Sequence, residues 1–402
     1  MHHRIPTVLA ASAAAVALAA SASAAAPAWT ITPGAPSLPA DARLNAVSAR
    51  TAQDAWVVGI YPGPQDDNGG IMLAERWNGS VWTQTPTPNV QFSDENLLAV
   101  SAASTSDVWA VGSINPIGAA SRNPLTAHFD GTTWTIVPNP TTTGGSKSIL
   151  DGVVNFGGGN VWAVGRGRNA HALIEHLTPN GWTIVPSPDP VIKSGSGFAS
   201  ATLTGISALA PNDIWAVGTY STVTGTVLDS FTLVEHYNGS TWSIVPSPNP
   251  APRHPLNGAR QTLNAVKMVS STDGWAVGNT FDTASGSFQP NKGLILHWNG
   301  RTWSVDPTAV IASMNVISGI SGPSSSDMWA VGERIDTSGP IPLDRAMTLH
   351  RNASGWTAVS TPTGTGDSLL NGVSTLSSGE AWAVGSTSDQ STSQSTILRH
   401  TP

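Results

Sequence analysis

The sequence predicts an all-β fold, a seven-bladed β-propeller with four antiparallel strands per blade, and three observations carry that expectation. One phrase recurs seven times: Trp56, Trp109, Trp162, Trp215, Trp275, Trp329 and Trp382 are each followed by Ala-Val-Gly, or Val-Val-Gly at the first, in steps of 53, 53, 53, 60, 54 and 53 residues. Each repeat holds four short strand-like segments, which is the size of a propeller blade. The two ends of the chain are complementary, so the last blade takes its outer strand from the N-terminus.

The first segment of the fourth repeat is Leu203-Thr-Gly-Ile-Ser-Ala208, with counterparts beginning at Leu44, Leu98, Leu150, Leu263, Val316 and Leu370. The second is Asp213-Ile-Trp-Ala-Val-Gly218, the third Thr232-Leu-Val-Glu-His-Tyr237 and the fourth Trp242-Ser-Ile-Val-Pro246. All are rich in β-branched and aromatic residues and bounded by Gly, Pro, Asn or Ser. Between third and fourth sit Asn78-Gly79, Asp130-Gly131, Asn238-Gly239 and Asn299-Gly300. These dipeptides accept the positive φ of tight hairpin turns. Each repeat therefore reads as a four-stranded meander.

The fourth-strand motif occurs at Trp82, Trp134, Trp182, Trp242, Trp303 and Trp356, and its seventh copy comes early, as Trp29-Thr-Ile-Thr-Pro33. The chain stops at Ile397-Leu-Arg-His-Thr-Pro402, just after a third strand. One propeller is thus expected over 25–402, with an N-terminal strand over 28–33 completing the blade formed by 369–402. Such a clasp removes a free sheet edge.

Composition agrees. Of 402 residues only 11% are charged, with 40 Gly and 30 Pro, as suits a turn-rich β protein. A net charge of -7 argues against nucleic acid and anionic membrane surfaces as partners. The first 24 residues read as a secretory signal peptide: His2, His3 and Arg4, an apolar run from Ile5 to Ala20, then Ala22-Ser23-Ala24 as the cleavage site. A mature start near Ala25, a secreted location and no later transmembrane segment follow as expectations. There is no cysteine, which excludes thiol nucleophiles and disulfides.

The repeat accounts for most residues that look chemical. All 16 tryptophans fall in repeat slots, which reads as inter-blade packing rather than a ring of sugar-stacking platforms. Arg76, His128, His176, His236, His297, His350 and Arg399 share one slot near the end of the third strand. Asp54, Asp107, Asn160, Asp213, Asp273, Asp327 and Glu380 share another, two residues before each tryptophan. Antiparallel pairing sets these slots side by side. A sevenfold pair fixes strand register rather than building a catalytic centre.

Residues outside the repeat are the candidates for a site. The connections after the second strands and between blades vary in length and open on one face, the usual mark of a binding surface. On it lie Arg253, His254 and Arg260, Arg166, Arg168 and His171, and the aromatics Tyr61 and Tyr220. Asp66, Asp67 and Asn68 offer three adjacent oxygen side chains for calcium, without the spaced ligands of a dedicated loop. No other cofactor is implied.

Asp273-Gly-Trp-Ala-Val-Gly278 followed by Ile295-Leu-His-Trp-Asn-Gly-Arg-Thr-Trp303 resembles BNR and photosystem II assembly-factor-like propeller repeats, and the Trp-Ala-Val-Gly segment is similar to tectonin-type repeats. The resemblance spans the predicted mature chain and implies a fold. Gly300 and Trp303 fit the sialidase Asp-box, but Trp298 stands in its Asp slot and Leu296 in its Ser/Thr slot, so no catalytic residue is carried over.

The functional expectation is a monomeric scaffold binding an extracellular glycan, cell-wall polymer or protein through the variable loops. One alternative is a polysaccharide-active hydrolase or lyase drawing acids from Asp66, Asp67, Asp94, Glu95, Glu333 or Asp344. The other is a purely structural surface protein.

Overall fold

In a computed structural model the chain is described over residues 29–402, except 37, 64–68, 119–121, 141–147, 193, 257, 283–288, 308–314, 340, 363, 365 and 390–391. Seven four-stranded antiparallel sheets account for the strands. Blade 1 spans 43–84, blade 2 93–136, blade 3 149–185, blade 4 197–244, blade 5 260–305, blade 6 315–359 and blade 7 367–400. The outer strand of blade 7 is Trp29–Ile31, paired with the third strand in the register Trp29↔His400, Thr30↔Arg399 and Ile31↔Leu398. Of the expected 28–33, residues 29–31 form the strand and residue 28 lies outside the described residues; the closure is the expected one. A 3-10 turn, Arg168–Ala170, lies between the second and third strands of blade 3.

The repeat slot of the first strand holds Leu97 and Ile317 in blades 2 and 6, one residue away from the Leu98 and Val316 that the sequence suggests. In both blades two apolar residues stand side by side, Leu97-Leu98 and Val316-Ile317, and pairing with Gly112 and Gly332 selects one of each. Every first strand carries a β-bulge, and the extra residue is Asn45, Leu98, Asp151, Thr204, Asn264, Ser318 or Asn371. These seven residues line the central channel. Several tie one blade to the next: Asn45 Nδ2 donates to the Leu97 carbonyl at 2.7 Å, Thr204 Oγ1 to that of Leu263 at 2.7 Å, Asn264 Nδ2 to that of Ile317 at 2.8 Å and Asn371 Nδ2 to that of Leu44 at 2.9 Å.

The bulge also explains the glycine of the recurring phrase. A Cβ added at Gly218 would run into the Thr202 carbonyl just before the bulge, and the same collision occurs at Gly59, Gly112, Gly165, Gly278, Gly332 and Gly385.

The tryptophans form the seams. Each second-strand indole meets the outer-strand indole of the following blade edge to face, from Trp56–Trp134 at 5.5 Å to Trp329–Trp29 at 4.9 Å and Trp382–Trp82 at 5.2 Å. The other face of the same indole stacks on the third-strand basic residue, as Trp215 does on His236 at 4.2 Å. That histidine is held by the slot acid: Nε2 lies 2.8–3.1 Å from Oδ1 in His236–Asp213, His297–Asp273, His350–Asp327 and His128–Asp107. Arg399 and Glu380 replace the pair in blade 7 at 2.9 Å, and His176 meets Asn160 at 3.0 Å in blade 3. The acid–base slots are therefore parts of the indole packing.

Three buried glutamates pin the connections between blades. Glu75 accepts the Ala35 N–H at 2.7 Å, Glu175 accepts from Asn139, and Glu235 accepts from the Ser187 hydroxyl at 2.9 Å. All three are fully buried. Burial pushes the Glu75 carboxyl up to about 7 and that of Glu235 up to about 8.

Candidate functional site

Because each blade is a meander, its first strand starts and its second strand ends on one face, together with the start of the third. The variable connections all emerge there. The short turns, with Gly79, Gly131, Gly239 and Gly300 at positive φ, lie on the opposite face. In those turns the Asn78 and Asn238 side-chain oxygens accept backbone N–H groups two and three residues ahead, so these asparagines serve the turn.

On the loop face, blades 6, 7 and 1 border an open cavity of about 400 Å³ lined mainly by polar residues. Arg43 and Asn45 enter from the first strand of blade 1, Asp367 and Asn371 from that of blade 7, and Asp344 from the third strand of blade 6. Ser386, Ser388 and Ser393 add hydroxyls from blade 7. The walls are held by backbone. Asp367 Oδ1 accepts the Asp344 N–H at 3.0 Å, and Ser368 Oγ accepts that of Ala346 at 2.9 Å. Arg345 braces the rim, donating to the Gly366 carbonyl at 2.7 Å and lying 3.8 Å from Asp336. Asp41 takes a positive φ of 67° so that its N–H and carboxylate both meet the backbone of Ser393, at 2.7 Å each.

The electrostatics are unequal. Burial raises the Asp344 carboxyl above the ordinary range, and Asp367 raises it further; burial and then Asp344 do the same to Glu333. Arg43 is exposed and makes no ion pair with a described residue. The cavity therefore offers carboxylate acceptors, amides, hydroxyls and one guanidinium around open space, the groups that pair with hydroxyl-rich ligands.

The residues expected from sequence are dispersed over the face. Arg253 forms a salt bridge to Asp229 at 3.0 Å, and Asp229 also accepts the Ala259 N–H at 2.8 Å, so this pair fastens the connection between blades 4 and 5. His254 bridges to Gly258 through backbone, and Arg260 opens the first strand of blade 5. His171 Nδ1 lies 3.0 Å from Asp189, with its ring stacked on Phe198 at 4.7 Å. Arg166 ends the second strand of blade 3 and Arg168 lies exposed in the 3-10 turn. Tyr61 packs on the core shared by blades 7 and 1, and Tyr220 stacks on Phe231 at 5.1 Å.

Of the acids considered for catalysis, Glu333 and Asp344 are brought together. Asp94 accepts the Gly70 N–H at 3.2 Å, and buried Glu95 accepts from Val90 and Ser93, so both serve loop structure. Asp66, Asp67 and Asn68 lie outside the described residues. Among the described residues no group of three or more His, Asp or Glu is arranged to hold a metal ion. Arg43, Asp367 and Asn371 were not singled out by sequence, because each sits in an ordinary first-strand position and gains its place only when blade 7 meets blade 1.

No family model and no curated protein matches the chain. Solved structures do match in fold. YCF48 bound to a D1 peptide is 14% identical, with 93% of this chain and 98% of that one covered and a TM-score of 0.51. A family 25 polysaccharide lyase, an ulvan lyase, is 9% identical over 92% of this chain and 94% of its own, at a TM-score of 0.55. The family 74 xyloglucanase of Xanthomonas campestris is 12% identical at a TM-score of 0.51; it covers 92% of this chain, which spans 55% of the enzyme. The repeat resemblance read from sequence thus holds as a shared propeller fold, and the fold hosts both binders and polysaccharide-active enzymes.

Proposed function

We propose that this chain is a secreted binding module that holds an extracellular glycan or cell-wall polymer on its loop face, in the cavity between blades 6, 7 and 1. One observation carries the reading: a cavity of ligand size, about 400 Å³, on which polar residues converge from three blades. Hydroxyl-rich ligands suit that lining better than apolar ones, because each hydroxyl both donates and accepts. Asp344, Asp367 and Asn45 supply acceptors, and Arg43 and the serines supply donors. The rigid blades hold these groups in place before the ligand arrives, which lowers the ordering cost of binding.

The test is a screen of the mature chain against glycans, cell-wall fractions and peptides, repeated with Arg43→Ala and Asp344→Ala. The reading expects a glycan or wall ligand whose affinity falls about tenfold or more in each variant. A ligand bound equally well by both variants would place the site elsewhere, and a peptide as sole ligand would change its class. Export is tested by fractionation and N-terminal sequencing, with a mature start near Ala25 expected.

A second reading, cleavage of the bound polysaccharide, is favoured by the raised carboxyls of Asp344 and Glu333, since a carboxyl that keeps its proton closer to neutrality suits general-acid catalysis. It expects product release from a bound polysaccharide that Asp344→Asn abolishes while binding persists.

A further inference from the structure

A second, oppositely charged place exists on the loop face, between blades 2 and 3. The Ser148 N–H donates to the Arg122 carbonyl at 2.9 Å, which sets the end of blade 2's second connection against the start of blade 3. The next residue, Ile149, pairs with Arg166, and two residues further Asp151 is the bulged residue of the channel mouth. Arg122 and Arg166, from different blades, both act electrostatically on the Asp151 carboxyl. Neither guanidinium makes a hydrogen bond or ion pair with a described residue.

Buried polar atoms on both sides of this contact lack partners: Ser148 Oγ and Asp151 Oδ2 in blade 3 and Asn123 Oδ1 in blade 2. Ser148 is fully buried. Buried polar groups are normally paired, and a concentration of unpaired ones marks a place where something else binds. In the other channel slots the side chains are neutral, and Asn45, Thr204, Asn264 and Asn371 donate to the following blade. An aspartate does not fit that pattern unless it is protonated.

We propose that Arg122 and Arg166 bind an oxyanion here, a carboxylate, sulfate or phosphate group, with the Asp151 carboxyl as an additional donor. The two guanidiniums supply charge-assisted hydrogen bonds. Asp151 does not cancel them, because burial holds its carboxyl up to about 7 even beside the two positive charges, which act in the opposite direction. Arg166, from its own sheet, and Arg122, from blade 2, are the charged groups acting on it. When Asp151 ionises, the donor becomes a repelling charge, so affinity for an anion falls as pH rises through neutrality.

The experiment is calorimetric titration of the full mature chain with inorganic phosphate, inorganic sulfate, glucuronate and glucose. Anion binding without glucose binding is expected, and the preferred anion identifies the source of the group. An Arg122→Ala/Arg166→Ala variant should lose at least about tenfold in affinity, and Arg122→Glu more, with the melting temperature confirming that both are folded. Asp151→Asn should bind without the loss above neutral pH. Anions bound equally by wild type and the double variant, or not bound at millimolar concentration, would overturn the proposal. The cavity between blades 6, 7 and 1 is tested by different variants, so the two results separate.

Discussion

The indole of Trp382 meets that of Trp82 edge to face, ring centroids 5.2 Å apart, across the seam where the last blade joins the first. The equivalent contact at an internal seam, Trp215 with Trp303, lies at 5.9 Å. Closure therefore uses the same packing as every other blade boundary. Both second-strand indoles are buried, so Trp382→Ala and Trp215→Ala should each cost roughly 3–5 kcal/mol, as for other buried aromatics. Urea denaturation checks this; unchanged midpoints would show that the seams do not hold the ring.

Trp29 tests the clasp itself. It packs on Trp329 at 4.9 Å and on His400 at 5.7 Å, and its strand supplies the last edge of blade 7. Trp29→Ala should destabilise the whole chain by an amount similar to Trp215→Ala, about 3–5 kcal/mol, in one cooperative transition. Amide exchange that rises only in residues 29–31 would instead make the strand a dispensable tail.

Gly218→Ala is expected to destabilise by well over about 1 kcal/mol although it adds a single methyl group, because the Cβ meets the Thr202 carbonyl in a bulge that the channel ring holds in place. Gly225, in an open turn with nothing near its missing Cβ, is a control in part: its φ of 61° adds strain but no collision. A melting temperature for Gly218→Ala equal to wild type would refute the explanation of the recurring glycine.

Buried carboxyls set the pH dependence. The folded-state values of Glu75 and Glu235, about 7 and about 8, lie above the ordinary 4.5, so the native chain holds protons that the unfolded chain has released. Stability is then greatest at mildly acidic pH and falls as pH rises from about 4.5 through about 8. Glu75 contributes on the order of 3 kcal/mol to that fall and Glu235 on the order of 5 kcal/mol. Glu75→Gln and Glu235→Gln keep an acceptor and remove the charge, so both should flatten the profile and stabilise the chain above pH 8. A wild-type melting temperature that climbs between pH 5 and 8 would contradict this.

The blades were legible in the sequence because their signal repeats: tryptophan, acid and base recur at fixed offsets, and each offset maps to one strand position. Closure was legible because Trp29-Thr-Ile repeats Trp134-Thr-Ile. The register of the first strands was less so: the bulge leaves no composition signal, and the adjacent apolar pairs Leu97-Leu98 and Val316-Ile317 put the expected positions in blades 2 and 6 off by one. The buried glutamates lay in plain view as Glu75, Glu175 and Glu235, but their partners come from the preceding connection, whose path the repeat does not specify. The cavity was least legible. Arg43 and Asp344 are 301 positions apart and meet only through ring closure. Asp151 would have stood out in an alignment of the seven channel slots, where it alone is acidic.

The central claim is that the cavity between blades 6, 7 and 1 is where a ligand binds. The most direct measurement is the affinity of the best ligand from the glycan and cell-wall screen for wild type, Arg43→Ala and Asp344→Ala, with Arg253→Ala as a loop-face control. The account predicts a loss of about tenfold or more in the two cavity variants and little change in the control. Equal affinity in all four proteins, or a loss confined to Arg253→Ala, would contradict it.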